Sequence, residues 1–237
     1  MSRQSLVAMV SDDLLARITS GEFPPESTLP GEQDLVAQHD VSRVTVREAV
    51  KTLEALGVAR VERGRGTFVN PLNRWTSLEA VLRATSTEHD DGAAAVQLIE
   101  LRKMLEVGSA ALAAARISSD ETEQLSYDIV RMRQAHLGND VSLFVEADLH
   151  FHRVILQASG NVFVSVLLEP LSRILAARRE QTSRLPEIQE HAIHHHTLIL
   201  AALRSGDPEA SRVAMDNHMA QTLDDLRALV LSESENS

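Results

Sequence analysis

The stretch VSRVTVREAVKTLEALGVARVERGRGTFV, residues 41–69, decides the fold expected for the N-terminal part of the chain. Ser42 is a typical N-cap, and the helical run after it ends at Gly57, where a glycine commonly terminates a helix. The alternating segments VARVE and GTFVN then flank the turn ERGRG, which predicts a two-stranded hairpin. A helix followed by such a hairpin is typical of the recognition helix and wing of a winged helix-turn-helix.

Residues upstream of this stretch supply the other helices of that fold. Leu6, Val10, Leu14 and Ile18 recur at helical spacing and predict the first helix. The proline-punctuated loop FPPESTLP follows, and GEQDLVAQHD predicts a short second helix. Residues 1–70 are therefore predicted to form a winged helix-turn-helix DNA-binding domain.

Downstream of the wing the pattern is helical almost throughout. Residues 71–94 are predicted to be a linker and connecting helix, and residues 95–231 an all-α domain that binds a metal and an effector. Residues 232–237 are expected to be a disordered tail. The capping box SSDE and the pair DP mark two of the helix starts. The predicted helices cover residues 95–117, 119–137, 140–159, 161–183, 187–205 and 207–231.

Composition and apolar patterning limit the fold class, the residue types that could bind a metal and the expected cellular location. Aromatic residues are 3% of the chain, so the core must be mostly aliphatic, which favours a mainly α fold. The absence of cysteine excludes disulfides and thiolate metal sites, so any metal must be held by His, Asp or Glu. The N-terminus lacks a signal pattern, and no apolar run approaches the roughly 20 residues that span a bilayer. A cytoplasmic protein without a membrane partner is expected.

The charge of the chain is unevenly distributed. The net charge is −11, yet residues 41–70 contain six Lys or Arg against three Asp or Glu. Only the docking face of a DNA reader must oppose phosphates, so a small basic patch on an acidic protein is compatible with binding to double-stranded DNA.

The basic side chains of the predicted recognition helix share one face. Arg43, Arg47 and Lys51 follow i, i+4, i+8 spacing, on a face distinct from the apolar stripe of the helix. Arginine can pair bidentately with guanine, lysine suits a phosphate, and wing glycines allow close approach to a backbone or minor groove. A solvated basic face and an ordinary turn explain each piece alone, but the combination favours DNA binding. The predicted DNA-binding residues are Ser42, Arg43, Thr45, Arg47, Lys51, Arg65 and Gly66.

Four histidines lie within the segment HAIHHHTLIL, residues 191–200. Successive residues on a helix are about 100° apart, so these side chains point in different directions. His196 falls on the apolar side of the helix, whereas His191, His194 and His195 do not and are predicted to be bystanders. The sequence therefore predicts one inward-facing histidine in this segment.

A second pair of polar residues lies on an apolar stripe. Asp148 and His152 are spaced i, i+4 in VSLFVEADLHFHRVIL, while His150 points away. Each histidine alone is more often a core or surface residue, and acidic i, i+4 pairs are commonly helix salt bridges. Convergence of an aspartate with two or three histidines from separate helices of one bundle would favour a shared metal instead. His218, on the last helix, has only mildly apolar neighbours.

Arg102 lies between Leu98 and Leu105 on a stripe predicted to face inward. An unpaired charge there would be costly, so a partner is required. The partner is either a structural one, such as a glutamate, or the carboxylate of an effector that the planar guanidinium clamps bidentately.

The N-terminal motifs resemble those of a known family. The elements LPGE, VSR, VREA, the leucines before LG, and GRGTFV are similar to the winged-helix domain of the GntR family of bacterial regulators, over residues 5–70. The resemblance implies base or phosphate contacts from Ser42, Arg43, Thr45 and Arg47, with the wing glycines near the minor groove. Gln33 departs from the pattern, because members often carry a phosphate-contacting arginine at that position.

The C-terminal half resembles the FCD effector domain of the FadR-type branch of the same family. The segments ELRKMLE, DLHFHRVIL, HHTLILAALRSGD and NHM carry this resemblance over residues 95–231. It implies that an aspartate and three histidines bind a divalent ion, and that an arginine clamps a small organic acid that also touches the metal. Matched to this chain, the metal ligands are Asp148, His152, His196 and His218, and the effector-binding residue is Arg102. Val107 departs from the family, which often has a proline there.

These observations predict a ligand-responsive repressor that binds a pseudo-palindromic operator as a homodimer. Zinc is the first choice for the metal, with nickel or manganese as alternatives. The segment VNPLNRWTSLEAVLRA resembles the linker of family members that respond to sugar acids, so a sugar acid is the hypothesised effector. Two other functions stay open. The ion could be purely structural in a domain that only dimerises, or the bundle could be a metal-dependent enzyme fused to a DNA reader, although no separate general base is evident.

Overall fold

The computed structural model describes residues 5–85, 91–167 and 179–231, and the chain divides into two units, Met1–Asp91 and Gly92–Ser237. Helices dominate both units, and the sheet in the described ranges is a single two-stranded hairpin. The predicted fold class, a winged helix-turn-helix followed by an all-α bundle, is confirmed.

The first unit contains the helices and the wing that the sequence predicts. Strands β1 and β2 pair antiparallel, with Ala59 opposite Val69. Ser5 caps the first helix by accepting a hydrogen bond from the amide of Ala8 at 3.1 Å. The elements are α1 (Leu6–Thr19), α2 (Glu32–His39), α3 (Arg43–Ala55), β1 (Ala59–Glu62), β2 (Gly66–Val69), a 3-10 turn (Leu72–Arg74) and α4 (Leu78–Thr85).

The core of the first unit is aliphatic. Val10, Leu14 and Ile18 of α1 are buried, as their helical spacing predicts, and they pack in one cluster with Leu35 of α2 and Leu53 of α3. Ala59 of β1 and Val69 of β2 belong to the same cluster, so the wing shares a core with the three helices.

The segment after the wing is bound to the first unit. The indole Nε1 of Trp75 donates a hydrogen bond to the carbonyl of Asn70 at 3.0 Å, and Nδ2 of Asn70 donates to the carbonyl of Gly57 at 2.8 Å. The amide of Thr76 donates to the carbonyl of Leu56 at 2.9 Å. The polar composition of this segment is typical of a linker, but its tryptophan packs against the core cluster and anchors it.

The second unit is an all-α bundle. Ser118 and Glu121 form the predicted capping box at the start of α6, and Asp207 caps α10. The elements are α5 (Asp91–Ala114), α6 (Ser119–Leu137), α7 (Val141–Ala158), α8 (residues 162–167), α9 (Pro186–Ser205), α10 (Pro208–Asp225) and a π-helical turn (Leu226–Leu231).

Two helix predictions in this unit differ from the structure or pass outside it. Of the helix predicted over 161–183, residues 162–167 and 179–182 are helical, Ser183 lies in a turn, and 168–178 lie outside the described residues. The helix predicted over 207–231 is α-helical to Asp225 and then widens to a π-helical turn, a change in hydrogen-bond register that apolar periodicity does not reveal. The tail 232–237 also lies outside the described residues.

The bundle core mixes apolar and ionisable side chains. Phe144, Phe151, Ile155 and Met215 are among its fully buried members. Eight ionisable side chains of the same unit are buried in the described ranges, although burying a charge is costly unless it is paired. Throughout the described ranges, no helix is both long and apolar enough to cross a bilayer. The eight buried ionisable residues are Arg102, Glu106, Asp128, Asp148, His152, His196, His218 and Asp225.

Candidate metal centre and nucleic-acid interface

Three helices of the bundle contribute the four predicted metal ligands. Asp148 and His152 lie one turn apart on α7, His196 lies on α9, and His218 lies on α10. All four side chains are buried. The apolar face of α7 therefore places Asp148 and His152 in the bundle interior. The inward faces of α9 and α10 each place one histidine there.

The ligand atoms of these side chains converge. The Nε2 atom of His152 lies 3.2 Å from Nε2 of His196 and 3.3 Å from Nε2 of His218. The Oδ1 atom of Asp148 lies 3.3 Å from Nε2 of His196 and 3.8 Å from Nε2 of His152. Ligands at about 2.0–2.1 Å around one tetrahedral zinc are roughly 3.3 Å apart, so these separations fit a single cation.

Burial keeps two of the imidazoles in the form that binds metals. Burial lowers the pKa of His196 well below its usual value, and the nearby His152 and Arg179 lower it further. Burial likewise lowers the pKa of His218, with added contributions from His196 and His152. Neutral imidazole is the metal-binding form, so both ligands are prepared to coordinate without first losing a proton at neutral pH.

Arg102 forms a salt bridge with a glutamate of its own helix. Its Nε donates a hydrogen bond to Oε1 of Glu106 at 2.6 Å, and the other oxygen of Glu106 lies 2.5 Å from Nδ1 of His152. Burial by itself raises the pKa of Glu106, but the charges of Arg102 and His152 outweigh burial and hold that pKa well below its ordinary value. The salt bridge to a glutamate is thus present, and the effector clamp stays a prediction for Arg102.

Arg179 is a second guanidinium near the ligands that the sequence reasoning missed, and its side chain is 13% exposed. It forms an ion pair with Oδ2 of Asp148. Burial lowers the pKa of Arg179 well below its usual value, the positive charge of Arg102 lowers it further, and Glu106 opposes them. In the sequence Arg179 is marked only as a charged residue that follows the apolar run ILAA. This position does not reveal which helix its side chain will contact.

His191, His194 and His195 were predicted to be bystanders and His150 to point away, and the four differ in their distance from the metal ligands. Nδ1 of His150 contacts Asp128 at 2.6 Å, and Nδ1 of His191 contacts Asp225 at 2.9 Å. His194 is exposed, but His195 is half-buried, with its ring centroid 5.9 Å from that of His218. The prediction from the 100° spacing considered α9 alone. In the structure α10 packs beside α9 and brings His218 close to His195.

In the first unit, α3 presents its predicted residues at the surface. The hydroxyl of Ser42 accepts a hydrogen bond from the amide of Thr45 at 3.1 Å and so caps the helix. Val46, Ala49 and Leu53 form the buried face. Of the seven predicted DNA-binding residues Thr45 is half-buried, and the six exposed ones are Ser42, Arg43, Arg47, Lys51, Arg65 and Gly66.

Three of the exposed cations are paired with glutamates. Nε of Arg47 donates to Glu32 at 2.7 Å, and Nζ of Lys51 donates to Glu48 at 2.8 Å. Arg65 pairs with Glu62 at the wing, and its guanidinium carbon lies 5.2 Å from the ring centroid of Phe68. Exposed ion pairs contribute little to stability, so these side chains can exchange a glutamate for a DNA phosphate or base at low cost.

Two families match the chain. The FCD domain family matches residues 97–221, and the family of bacterial regulatory proteins called gntR matches residues 6–69. The first match covers the bundle with the four converging ligands, and the second covers the helices and the wing of the first unit.

The chain is also similar to named proteins along most of its length. It is 28% identical over 225 residues to the HTH-type transcriptional repressor NanR of Salmonella newport, covering 92% of this chain and 84% of the relative. It is 26% identical over 238 residues to NanR of Klebsiella aerogenes, covering 97% of this chain and 88% of the relative.

Solved structures share the fold. The GntR protein of Streptococcus agalactiae is 27% identical with a TM-score of 0.51, covering 92% of this chain and 99% of that protein. Lar, described as controlling the expression of the Listeria monocytogenes agr system, is 21% identical with a TM-score of 0.64, covering 97% of this chain and 100% of that protein. The second likeness concerns the fold alone.

Proposed function

Since this chain belongs to the GntR family of bacterial regulators and carries an FCD domain, we propose that it is an effector-responsive transcriptional repressor. Family membership makes it a DNA-binding regulator and not an enzyme. The repressor binds a pseudo-palindromic operator as a homodimer in the cytoplasm, where bacterial DNA lies. Its bundle holds a divalent cation and a small organic acid, and binding of the acid weakens operator binding.

The exposed residues of α3 and the wing support the assignment of DNA contacts. Arg43, Arg47, Lys51 and Arg65 are exposed. We infer that Arg43 and Arg47 read guanine edges and that Lys51 and Arg65 contact phosphates. A single winged helix buries too little surface for tight specific binding, so two copies on a two-fold symmetric site are expected.

The convergence of the four buried ligands is the observation that carries the cation assignment. Asp148 contributes an oxygen, and His152, His196 and His218 contribute imidazole nitrogens. This donor set suits zinc, with nickel and manganese as alternatives. When bound, the ion adds two positive charges to the interior of the bundle, which favours an anionic ligand beside it.

The balance of buried charges supports an organic acid as that ligand. The carboxylates of Glu106 and Asp148 are offset by the guanidiniums of Arg102 and Arg179, so the charge of a divalent ion is left uncompensated among these side chains. Burying an uncompensated charge is costly, and a carboxylate ligand removes that cost. Of the three guanidinium nitrogens of Arg102, Nε is the one that donates a hydrogen bond within the described residues. Its two terminal nitrogens can therefore bind a carboxylate bidentately.

A sugar acid is the proposed class of effector, because residues 69–84 resemble the linker of family members that respond to such acids. A thermal-shift screen of the metal-loaded chain with an aldonate, lactate and a dicarboxylate tests this class. Stabilisation by the aldonate is expected. Stabilisation by lactate or the dicarboxylate, without any by the aldonate, would exclude it.

Operator binding tests the function itself. An operator is first selected from a random double-stranded DNA library, and the affinity of the full chain is then measured by fluorescence anisotropy with and without each acid. An active acid is expected to weaken binding about 5- to 150-fold, the usual size of allosteric coupling. Unchanged affinity across the panel would remove the effector and leave a regulator without one. Light scattering checks the dimer, which should have twice the chain mass of 26.0 kDa.

A structural ion is the second candidate for the bundle, because Arg102 already has Glu106 as a partner. Arg102→Ala distinguishes the two roles of the bundle. Loss of the response to acid with retained metal content and helicity supports sensing. An unchanged response would favour an ion that only stabilises the domain.

A further inference from the structure

We propose that Glu106 is a positioning residue that orients His152 toward the shared cation and links Arg102 to the metal ligands. This inference rests on the proposed function, because it concerns the same bundle site. Glu106 lies on α5, which contributes none of the four ligands, and the residue is 3% exposed. In the sequence Glu106 is the last residue of the segment ELRKMLE, to which no contact with the metal ligands was assigned.

Both oxygens of Glu106 are engaged by different partners. Oε1 accepts the hydrogen bond from Nε of Arg102 at 2.6 Å, and Oε2 lies 2.5 Å from Nδ1 of His152. A buried carboxylate with one oxygen hydrogen-bonded and the other in close contact with an imidazole has little freedom to rotate, so it restricts both partners. The side chain is therefore a bridge from α5 to α7 inside the bundle.

This contact selects the tautomer of His152. A carboxylate facing Nδ1 favours the tautomer whose proton lies on Nδ1, which leaves the lone pair on Nε2. That lone pair faces Nε2 of His196 and Nε2 of His218, where a shared ion would be held. Among the described residues, His152 is the one member of the histidine cluster whose Nδ1 faces a carboxylate.

Such carboxylate–histidine contacts tune metal affinity in other proteins. A ligating histidine commonly donates its second N–H to a carboxylate, and removing the carboxylate lowers metal affinity about 10- to 100-fold. Here the same carboxylate also accepts from Arg102, the proposed effector clamp. Metal affinity and effector binding therefore share one side chain, and each is expected to change the other.

Glu106→Gln tests the proposal. The amide keeps the volume, but it has one acceptor oxygen, so its NH2 group must face either Arg102 or His152, both of which are donors. Chelator competition with Zn²⁺ should show a metal affinity about 10- to 100-fold lower. The visible spectrum of the Co²⁺-loaded protein should also change, and Glu106→Asp should recover part of the affinity. The matched control, Glu100→Gln, removes an exposed carboxylate from the same helix and should change neither.

A readout of the tautomer separates positioning from a general structural role. Long-range ¹H–¹⁵N spectra of the metal-free chain should show His152 protonated at Nδ1 in the wild type and altered in Glu106→Gln. Unchanged tautomer and metal affinity, with only a lower melting temperature, would overturn the proposal. If the wild type binds no divalent ion, the cation in the proposed function fails, whereas the tautomer measurement still decides the role of Glu106.

A double-mutant cycle tests the link to Arg102. If Arg102 acts on His152 through Glu106, Arg102→Gln should weaken Zn²⁺ binding in the wild-type background and have little further effect beside Glu106→Gln. Fully additive effects would overturn this part of the inference.

Discussion

The first unit and the bundle both depend on charged side chains, but they place them in opposite surroundings. The DNA-reading surface, defined by the seven predicted contact residues within 42–66, is almost entirely exposed. The metal cluster, defined by the four ligands between 148 and 218, is buried. Arg47 shows the contrast with Arg102, since their side chains are 66% and 2% exposed although each is paired with a glutamate.

This difference determines what each charge can do. An exposed cation is solvated whether or not its glutamate is bound, so it can transfer to a phosphate or base with little loss. A buried cation is not solvated by water, so removing its partner leaves an uncompensated charge. The surface is therefore suited to reversible exchange of partners, and the bundle to a fixed network whose balance a ligand can change.

The largest expected effect lies in the bundle. His196→Ala removes one of four ligands and should lower Zn²⁺ affinity roughly 100- to 1,000-fold, because structural zinc sites distribute about 10–16 kcal/mol over four ligands. Chelator competition on the purified full chain measures the change.

The matched control for that prediction is His194→Ala, two residues away on the same helix. His194 is exposed and should leave Zn²⁺ affinity within about 2-fold, because a solvated side chain contributes nothing to the buried cluster. Equal losses from the two variants would break the distinction between the buried cluster and the exposed histidines.

At the surface, the largest effect is expected from Arg47. Arg47→Ala should lower affinity for the selected operator about 5- to 150-fold and relax specificity at one base pair, as loss of a bidentate base contact does. Fluorescence anisotropy against the operator and its single-base variants measures both.

Arg212 provides the control for Arg47. It is an exposed arginine of α10 that is hydrogen-bonded to Glu209, much as Arg47 is to Glu32. Arg212→Ala should leave DNA affinity unchanged, because this arginine is not part of the DNA-reading surface. A similar loss from both variants would indicate a general effect of charge rather than a defined contact.

The packing of the segment around Trp75 against the rest of the first unit can be tested at Gly57. This residue has φ +72°, and an added Cβ would lie 2.6 Å from the carbonyl oxygen of Arg74. Gly57→Ala should therefore destabilise the first unit by about 1–3 kcal/mol, through backbone strain and displacement of the segment around Trp75. Urea denaturation followed by tryptophan fluorescence reports it, since the chain has one tryptophan. Gly21→Ala is a useful comparison, because that glycine also has positive φ but an open space around its Cβ position.

The smallest effect is expected from Lys51. Lys51→Ala should weaken binding to specific and nonspecific DNA by similar, few-fold factors and reduce the salt dependence of binding by about one unit of slope. Titrations at several salt concentrations measure the slope. A loss confined to the selected operator would instead assign Lys51 a role in reading bases.

Much of the candidate site could be predicted because its residues lie on regular helices. Helical spacing placed Asp148 and His152 on one face and selected His196 from four clustered histidines, and these residues do converge in the structure. Spacing could not show that Glu106 also contacts His152 or that Arg179 contacts Asp148, because these partners lie on other helices. The same limit applies to His195, which was predicted to be a bystander and whose ring centroid lies 5.9 Å from that of His218 on α10.

The sequence by itself determined the order of helices and wing, the basic surface of α3 and the inward-facing sides of α7 and α9. These properties depend on backbone periodicity and capping, which act between residues a few positions apart. Only the tertiary structure decided which charges meet: Glu106 between Arg102 and His152, and Arg179 on Asp148. The physical reason is that burial removes water as an alternative partner, so each buried charge must be satisfied by whichever helix packs against it.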